Sequence, residues 1–233
     1  MQTAVVTGAN KGIGKEIARG LAALGMTVYL GSRDAGRGER AAAELDGDVR
    51  VLRLDVTDDE TIAAAAKRIE AEAGQLDVLV NNAAITLSPR PAAEEVTREQ
   101  LHRLYDTNVF GVVAVTNALL PLLRKASAAR IVNISSSLGS LAIAATAERF
   151  PPSLTYGTSK TAVNSITVQY AHALADTAVK VNAACPGYVA TDLNQHTGTS
   201  TPAEGARIAL ELATLDADGP TGRFFDSAGP VAW

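Results

Sequence analysis

The 233-residue chain has little sulfur and few aromatic residues: one cysteine, Cys185, and aromatic side chains at 4% of positions. A single thiol excludes a disulfide within the chain, so a reducing cytoplasm is the expected location. Met1-Gln2-Thr3 leads directly into an apolar run without the segments of a secretion signal, and no apolar run approaches the ~20 residues of a membrane span. The composition therefore predicts a cytoplasmic protein with no membrane partner.

An excess of positive charge is also lacking, because the formal net charge is −4 at pH 7. This balance argues against nucleic acid as the main partner. His102, His172 and His196 are scattered without the spacing of metal ligands, so no metal site is predicted. Three serines at 135–137 have no histidine near them in the sequence, which argues against a hydrolase triad.

The sequence is 47% hydrophobic, with short apolar runs that alternate with helical patterns. Strands alternating with helices predict a parallel sheet covered by helices on both faces. We therefore expect one α/β domain over residues 1–233, a Rossmann-type doubly wound parallel sheet of about seven strands. The strands are expected near residues 4–6, 26–30, 49–54, 76–80, 131–134, 179–183 and 222–225.

A glycine-rich turn follows the first expected strand, with the sequence Thr7-Gly8-Ala9-Asn10-Lys11-Gly12-Ile13-Gly14. Glycines let backbone amides approach an anion, and the amino terminus of the following helix favours negative charge. The turn therefore predicts a phosphate site, although a plain strand-to-helix turn would use the same residues.

The ends of later strands carry polar residues where ligands bind in open α/β sheets. Ser32-Arg33-Asp34 follows the second strand, Asn81-Asn82-Ala83-Ala84 the fourth and Ser135-Ser136-Ser137 the fifth. In a dinucleotide fold the end of the second strand, here Ser32-Arg33-Asp34, meets the adenosine ribose. An acid there holds a 2′-hydroxyl, and an arginine there accommodates a 2′-phosphate. Each cluster also fits a plain polar turn, so none decides the function alone.

Tyr156 and Lys160 stand four residues apart in a segment expected to be helical, so both side chains should rise from one face. A phenol has an ordinary pKa of about 10, and a neighbouring ammonium lowers it. The pair therefore predicts acid–base chemistry at a hydroxyl or carbonyl oxygen. The same spacing arises by chance on many helices.

The motifs in their order resemble the short-chain dehydrogenase/reductase family over almost the entire chain: the glycine turn, Asn-Asn-Ala-Ala, Asp-Thr-Asn, Asn-Ile-Ser-Ser-Ser, Tyr-Gly-Thr-Ser-Lys and Cys-Pro-Gly-Tyr. The resemblance is closest to NADPH-dependent carbonyl reductases, through Asn10-Lys11, Ser32-Arg33-Asp34 with Arg37, and the ending at 219–224. It implies an enzyme that reduces ketones or aldehydes to alcohols, reversibly, with a small carbonyl or alcohol as substrate and NADPH/NADP⁺ as cofactor.

The resemblance also implies roles for individual residues. The catalytic set is Asn108, Ser136, Tyr156 and Lys160, with Tyr156 as proton donor. The cofactor set is Gly8, Asn10, Lys11, Gly12, Ile13, Gly14, Arg33, Arg37, Asp55, Val56, Asn82, Ala83, Tyr156, Lys160, Pro186, Gly187, Val189 and Thr191. The substrate site is expected within 136–156 and 186–203, with candidate residues Leu138, Phe150, Tyr188, Leu193 and His196.

Twenty positions separate Ser136 from Tyr156, fewer than in the animal carbonyl reductases that the family includes. So short a segment is not expected to cover the helices that contain Asn108 and Tyr156. Relatives commonly pair through these helices, and a homodimer or homotetramer is therefore expected.

Two other functions remain as alternatives. One is a catalytically silent protein that binds NADP(H) and senses redox state, and the other is a lyase related to this family. A sensor would not need all four catalytic residues, and the lyase relatives lose the lysine and the glycine turn that this chain keeps.

Overall fold

A computed structural model describes residues 2–146 and 153–233 of the chain. One sheet runs through the molecule. Its strands are β1 (Thr3–Val6), β2 (Thr27–Ser32), β3 (Val49–Arg53), β4 (Val78–Asn81), β5 (Arg130–Ile134), β6 (Lys180–Ala184), β7 (Phe224–Asp226) and β8 (Gly229–Pro230). Their order across the sheet is β3-β2-β1-β4-β5-β6-β7-β8, and every neighbouring pair is parallel except β7 and β8. The predicted single-domain Rossmann-type fold is confirmed.

Helices cover both faces of this sheet. They are α1 (Gly12–Ala23), α2 (Ala35–Ala42), α3 (Asp59–Ala73), α4 (Arg98–Tyr105), α5 (Gly111–Leu123), α6 (Leu141–Ala144), α7 (Leu154–Ala173) and α8 (Pro202–Ala213). Short 3₁₀ turns occupy Ala93–Glu95, Ser137–Gly139 and Asp192–Asn194.

The alternation of side chains along β1 shows how the two faces are divided. Ala4 and Val6 pack on one face with residues of α1 and α8, whereas Val5 packs on the other with residues of α3 and α5. All three strand residues are fully buried. Burial on both faces explains why this strand is a continuous apolar run.

The helical stretch Arg98–Leu123 is not one regular α-helix. A π-helical turn, Asp106–Phe110, lies between α4 and α5, and Asn108 is buried within it. Such turns occur most often at functional sites. The continuous stretch Arg98–Leu123 has the length and hydropathy of a membrane span, but half of it is buried, with Leu119 and Leu123 in the core beside the sheet.

The described residues contain one strand more than the seven expected. Gly229–Pro230 pairs antiparallel with β7, and the ring of Trp233 stacks on Phe224 with 5.6 Å between ring centroids. Two residues are too few to produce an alternating pattern, so periodicity in the sequence gives no signal for β8.

Buried amide side chains connect the middle of the sheet to the helices above it. Asn81 on β4 donates to Asn133 on β5 (2.8 Å) and to Thr116 on α5 (3.0 Å), and Asn133 donates to Thr167 on α7 (2.9 Å). Because buried polar groups cost stability unless paired, these bonds favour one arrangement of α7 over the sheet.

Candidate active site

Helix α7 carries Tyr156 and Lys160 on one face, as their spacing predicts. The Lys160 Nζ atom lies 5.6 Å from the centroid of the Tyr156 ring. Lys160 is 3% exposed and donates to the Ile134 carbonyl at the carboxyl end of β5 over 2.7 Å. The sheet thus fixes the ammonium beneath the phenol.

Burial controls the proton affinities of this pair. It raises the pKa of the Tyr156 phenol well above the ordinary value, with a smaller contribution from Cys185, while the charge of Arg90 lowers that pKa only in part. Burial also lowers the pKa of Lys160 to about 8. The sequence predicts a lowered pKa for this phenol; in the structure burial outweighs the lowering charge of Arg90, so the pKa of Tyr156 is raised.

A short turn after β5 brings Ser136 toward α7. Ser136 Oγ accepts from the Leu138 amide over 3.2 Å and so begins the 3₁₀ turn Ser137–Gly139. Gly139 packs directly on α7, where a Cβ would lie 2.6 Å from the backbone carbon of Lys160. Only glycine allows so close an approach, which places the serine turn against the Lys160 helix.

Asn108 acts on the neighbouring backbone. Its side chain accepts from the Ile85 amide (2.8 Å) and donates to the Ile85 carbonyl (3.0 Å) and to Ser159 Oγ (3.1 Å). Ser159 in turn donates to the Tyr156 carbonyl over 2.8 Å. Asn108 therefore links the chain after β4 to the helix that holds Tyr156.

The glycine turn has the backbone that its sequence predicts. Gly8 and Gly12 have φ values of 62° and 57°, a conformation that favours glycine. A Cβ on Gly14 would lie 2.4 Å from the side chain of Asn82. Asn82 donates to the carbonyls of Thr7 (2.9 Å) and Gly8 (3.2 Å), so it holds the turn in place.

Helix α1 begins at this turn, and within the described chain its N-cap residue Lys11 makes no capping bond through its side chain. The first amides of α1 are therefore available to an anion.

A cleft of about 370 Å³ lies beside the glycine turn. Its lining includes the predicted Asn10, Lys11 and Arg37, whereas the described lining residues do not include Arg33, which is exposed after β2. Asp34 caps α2 by accepting from the Arg37 amide over 2.8 Å.

Arg40, Glu44 and Asp192 complete the charged lining of this cleft, and none of the three is in the predicted cofactor set. Arg40 stands one turn after Arg37 on α2, so the i, i+3 spacing is a signal that could have found it.

The remaining cofactor candidates lie along the carboxyl edge of the sheet. Asp55 follows β3, and its carboxylate accepts from the amide (3.0 Å) and hydroxyl (2.8 Å) of Thr57. Val56 is buried against Gly111 at the start of α5. Ala83 packs on Gly8, where a Cβ would lie 2.9 Å from the Ala83 Cα, and Ile13 packs beside the α1–α8 core.

The segment after β6 faces the glycine turn across the cleft. A Cβ on Gly12 would lie 3.4 Å from Thr191 Cγ2. Gly187 follows Pro186 with a φ of 83°, and Val189 is buried against Gly205 of α8. Of these candidates, Thr191 is the one that the structure places against the glycine turn.

A larger cavity of about 740 Å³ lies between this segment and the chain after β4. Of the substrate candidates, Tyr188 and Leu193 line this cavity, whereas Leu138 and His196 are not among its described lining residues. Phe150 lies outside the described residues. Another wall of this cavity is formed by eight residues of the chain after β4 that are not among the predicted substrate residues: Thr86, Leu87, Ser88, Arg90, Pro91, Ala92, Ala93 and Glu94.

The segment Asp192–Thr197 bridges the two sites. Asp192 forms an ion pair with Lys11 of the glycine turn, and its carboxylate lies within hydrogen-bond distance of His196 Nε2 (2.8 Å). Gln195 donates to Ser88 across the larger cavity over 2.6 Å, and the Tyr188 and Thr197 hydroxyls lie 2.5 Å apart. Within the described chain, no group of three or more His, Cys, Asp or Glu side chains is placed to hold a metal ion.

Comparison with known proteins gives one family over most of the chain. Residues 2–201 match the family model described as short chain dehydrogenase. Salutaridine reductase from Papaver bracteatum is 34% identical, with 97% of this chain and 94% of that protein covered. That alignment runs over 295 positions, more than this chain contains, so the relative carries inserted segments.

A second relative and a solved structure are also similar to this chain over nearly its whole length. Carbonyl reductase (NADPH) 1 from Pongo abelii is 32% identical, covering 100% of this chain and 99% of that protein. The structure of 3-ketoacyl-(acyl-carrier-protein) reductase from Brucella melitensis, complexed with NADH, superposes with a TM-score of 0.86 at 28% identity and covers 97% of this chain and 96% of that one.

Proposed function

Because the chain belongs to the short-chain dehydrogenase family of oxidoreductases, which bind a nicotinamide cofactor, we propose that it reduces ketones or aldehydes to alcohols with NADPH. The reaction is reversible, with Tyr156 as the residue that exchanges a proton with the substrate oxygen. The observation that carries the proposal is the Lys160 ammonium, held by the Ile134 carbonyl beneath the Tyr156 ring.

The raised pKa of Tyr156 supports its role as a donor. Burial keeps the phenol protonated at neutral pH, so a proton is present where the carbonyl oxygen acquires charge. The phenolate left after transfer is stabilised by the Lys160 ammonium, whose charge is present below its pKa of about 8. Ser136 donates a hydrogen bond to the same substrate oxygen, which orients the carbonyl.

The residues present fit a nicotinamide cofactor, as judged by the backbone of the glycine turn. Gly8, Gly12 and Gly14 leave no side chain between the amides of α1 and a diphosphate. Asp55 and Val56 would meet the adenine, and Pro186, Gly187, Val189 and Thr191 the nicotinamide. The bound cofactor supplies the hydride, and the protein supplies orientation and the proton.

One relative is named for NADPH and one similar structure holds NADH, so the relatives do not decide between the two cofactors. The charges of this chain support NADPH. Lys11 and Arg37 line the cleft beside the glycine turn, and Arg33 stands four residues before Arg37 in the sequence. Asp34, the acid that would favour NADH, is engaged in capping α2. Guanidinium groups bind phosphate through a fork of donors.

The intact catalytic set favours the reductase over the alternatives. A silent sensor does not require Tyr156 and Lys160 together, and lyase relatives lack the lysine and the glycine turn.

Incubation with NADPH and a panel of small ketones and aldehydes tests the proposal through the fall in nicotinamide absorbance. Equal kcat/KM with NADPH and NADH would contradict the cofactor assignment, and no oxidation of either cofactor with any carbonyl would contradict the reductase.

We also propose a homodimer or homotetramer in the cytoplasm. Phe110, at the end of the π-helical turn, is a large apolar side chain left half exposed, and the relative from Papaver bracteatum carries insertions that this chain lacks. Light scattering at micromolar concentration should give at least twice the chain mass of 24.1 kDa, and a monomer mass would contradict the proposal.

A further inference from the structure

Lys11 and Asp192 join two parts of the site that are 181 residues apart in the chain. Lys11 belongs to the glycine turn, and Asp192 begins the 3₁₀ turn after β6. Both side chains are more than half exposed, at 57% and 54%. Their ion pair therefore spans the opening of the cleft in which we place the cofactor's 2′-phosphate.

The charges of this cleft are not all available to a phosphate. Lys11, Arg37 and Arg40 contribute positive charge, and Glu44 and Asp192 contribute negative charge. Glu44 already pairs with Lys15, which lies outside the cleft lining. Asp34, also outside the lining, lies 3.9 Å from Arg37. Of the carboxylates that line the cleft, Asp192 is thus the one that pairs with a lining cation.

We propose that Asp192 competes with the cofactor's 2′-phosphate for Lys11, and so is a residue that sets the cofactor preference by opposing it. The proposal rests on the NADPH preference proposed above. Asp192 keeps its negative charge at neutral pH, because Lys11 and then His196 hold the pKa of its carboxyl below the ordinary value. A phosphate that enters the cleft meets a lysine whose charge Asp192 already neutralises.

The exposure of the pair makes this exchange feasible. Ion pairs between solvent-exposed side chains contribute little stabilisation, so a phosphate with charge near −2 can displace the carboxylate. The displaced Asp192 keeps His196 Nε2 as a partner at 2.8 Å. Affinity for a 2′-phosphate is then lower than Lys11, Arg37 and Arg40 alone would give.

A purely structural role for Asp192 makes the opposite prediction. Gln195 and His196 have φ values of 55° and 59°, which are strained for residues with side chains, and Asp192 holds the turn that leads to them. If Asp192 only positioned this turn, its removal would loosen the site and weaken every ligand. Competition predicts tighter binding of phosphate-bearing ligands alone.

Binding of 2′,5′-ADP and 5′-ADP, measured by titration calorimetry, separates the two roles. Asp192→Asn should bind 2′,5′-ADP roughly two- to fivefold more tightly than the unmodified protein, and 5′-ADP equally well. The gain should shrink as salt is raised. Asp46→Asn is the matched control: it removes the same charge from an exposed turn after α2, outside the cleft lining, and should change neither affinity.

A double-mutant cycle with Lys11→Gln tests the competition directly. Lys11→Gln should weaken 2′,5′-ADP binding, and in that background Asp192→Asn should give no further gain. A gain that persists without Lys11, or a loss of affinity for both ligands in folded Asp192→Asn, would overturn the proposal. Asp192→Ser, with folding checked by thermal unfolding, repeats the test with a variant that removes the carboxylate and introduces no side-chain amide.

These measurements also separate this inference from the proposed function. An unmodified protein that binds the two nucleotides equally would defeat the NADPH preference itself. A preference for 2′,5′-ADP that Asp192→Asn leaves unchanged would defeat only the competition.

Discussion

Two lysines in this molecule show opposite uses of the same charge. Lys160 is 3% exposed, donates to a backbone carbonyl and has its pKa lowered to about 8 by burial. The side chain of Lys11 is 57% exposed and pairs with a carboxylate across an open cleft. We propose that the buried lysine takes part in the chemistry and that the exposed lysine is a screened contact that adjusts selectivity. Substitutions at the buried end should therefore have much larger effects.

The largest effect should come from Tyr156→Phe. The ring still packs over Lys160, but the transferable proton is lost, so kcat should fall by at least ~10²–10⁴-fold. Steady-state rates with NADPH and a reducible carbonyl measure this loss, and NADPH binding, measured by calorimetry, should be nearly unchanged. A kcat close to that of the unmodified protein would show that Tyr156 is not the donor.

Lys160→Ala against Lys11→Ala tests the comparison directly. Lys160→Ala removes the charge beneath the phenol and leaves the Ile134 carbonyl without this donor, so both cofactor affinity and kcat should fall, kcat by ~10²-fold or more. Lys11→Ala should raise KM for NADPH with kcat nearly constant. If Lys11→Ala lowered kcat as strongly as Lys160→Ala, the division between chemistry and selectivity would be wrong.

Neutralising two arginines of the exposed cleft should have an intermediate effect. Arg37→Gln with Arg40→Gln should reduce the NADPH-to-NADH ratio of kcat/KM by about 10- to 100-fold, since each charged hydrogen bond contributes ~1.5–3 kcal/mol before solvent screening. Arg33→Gln, outside the described lining of the cleft, should reduce the ratio less. A larger loss from Arg33→Gln would place the phosphate nearer to β2 than this cleft.

The smallest effect should come from pH. Lys160 loses its proton as pH rises through its pKa of about 8, so the ammonium that stabilises the phenolate disappears above that pH. The kcat for carbonyl reduction should be steady below pH 8 and fall by up to about tenfold between pH 8 and 9. Because arginine keeps its charge in this range, residual activity of Lys160→Arg should not show the fall. A decline common to both proteins would assign it to another group.

The sequence predicts the fold and the phosphate turn because both follow from local chemistry. Apolar runs bounded by turn residues are enough to locate seven strands, and the φ values of Gly8 and Gly12 explain why glycine stands there. The spacing of Tyr156 and Lys160 predicts a shared face of α7, which the structure shows.

Other features have no local signal. The π-helical turn at Asp106–Phe110 lies in a stretch whose apolar pattern continues across it, so the sequence reads as one helix. Residues 86–94, which form one wall of the larger cavity, show neither the helical nor the strand period of apolar residues. Their location follows only from the position of β4 in the sheet. The positions of Leu138 and His196 in the chain predict that they line the substrate site, but position alone does not give the direction of a side chain; neither is among the described lining residues of the larger cavity.

The hydrogen bonds between Asn82 and Thr7 determine when the glycine turn can form while the chain is being synthesised. These residues are 75 positions apart, and their bonds close the glycine turn only when β4 has joined β1. A ribosome has therefore synthesised α1, β2, α2, β3 and α3 before the turn can be locked. Pairings between such distant segments form slowly, because the chain must first close a long loop. The nascent protein should gain a nucleotide-binding turn late, and mutations in β4 should delay its appearance as strongly as mutations in the turn itself.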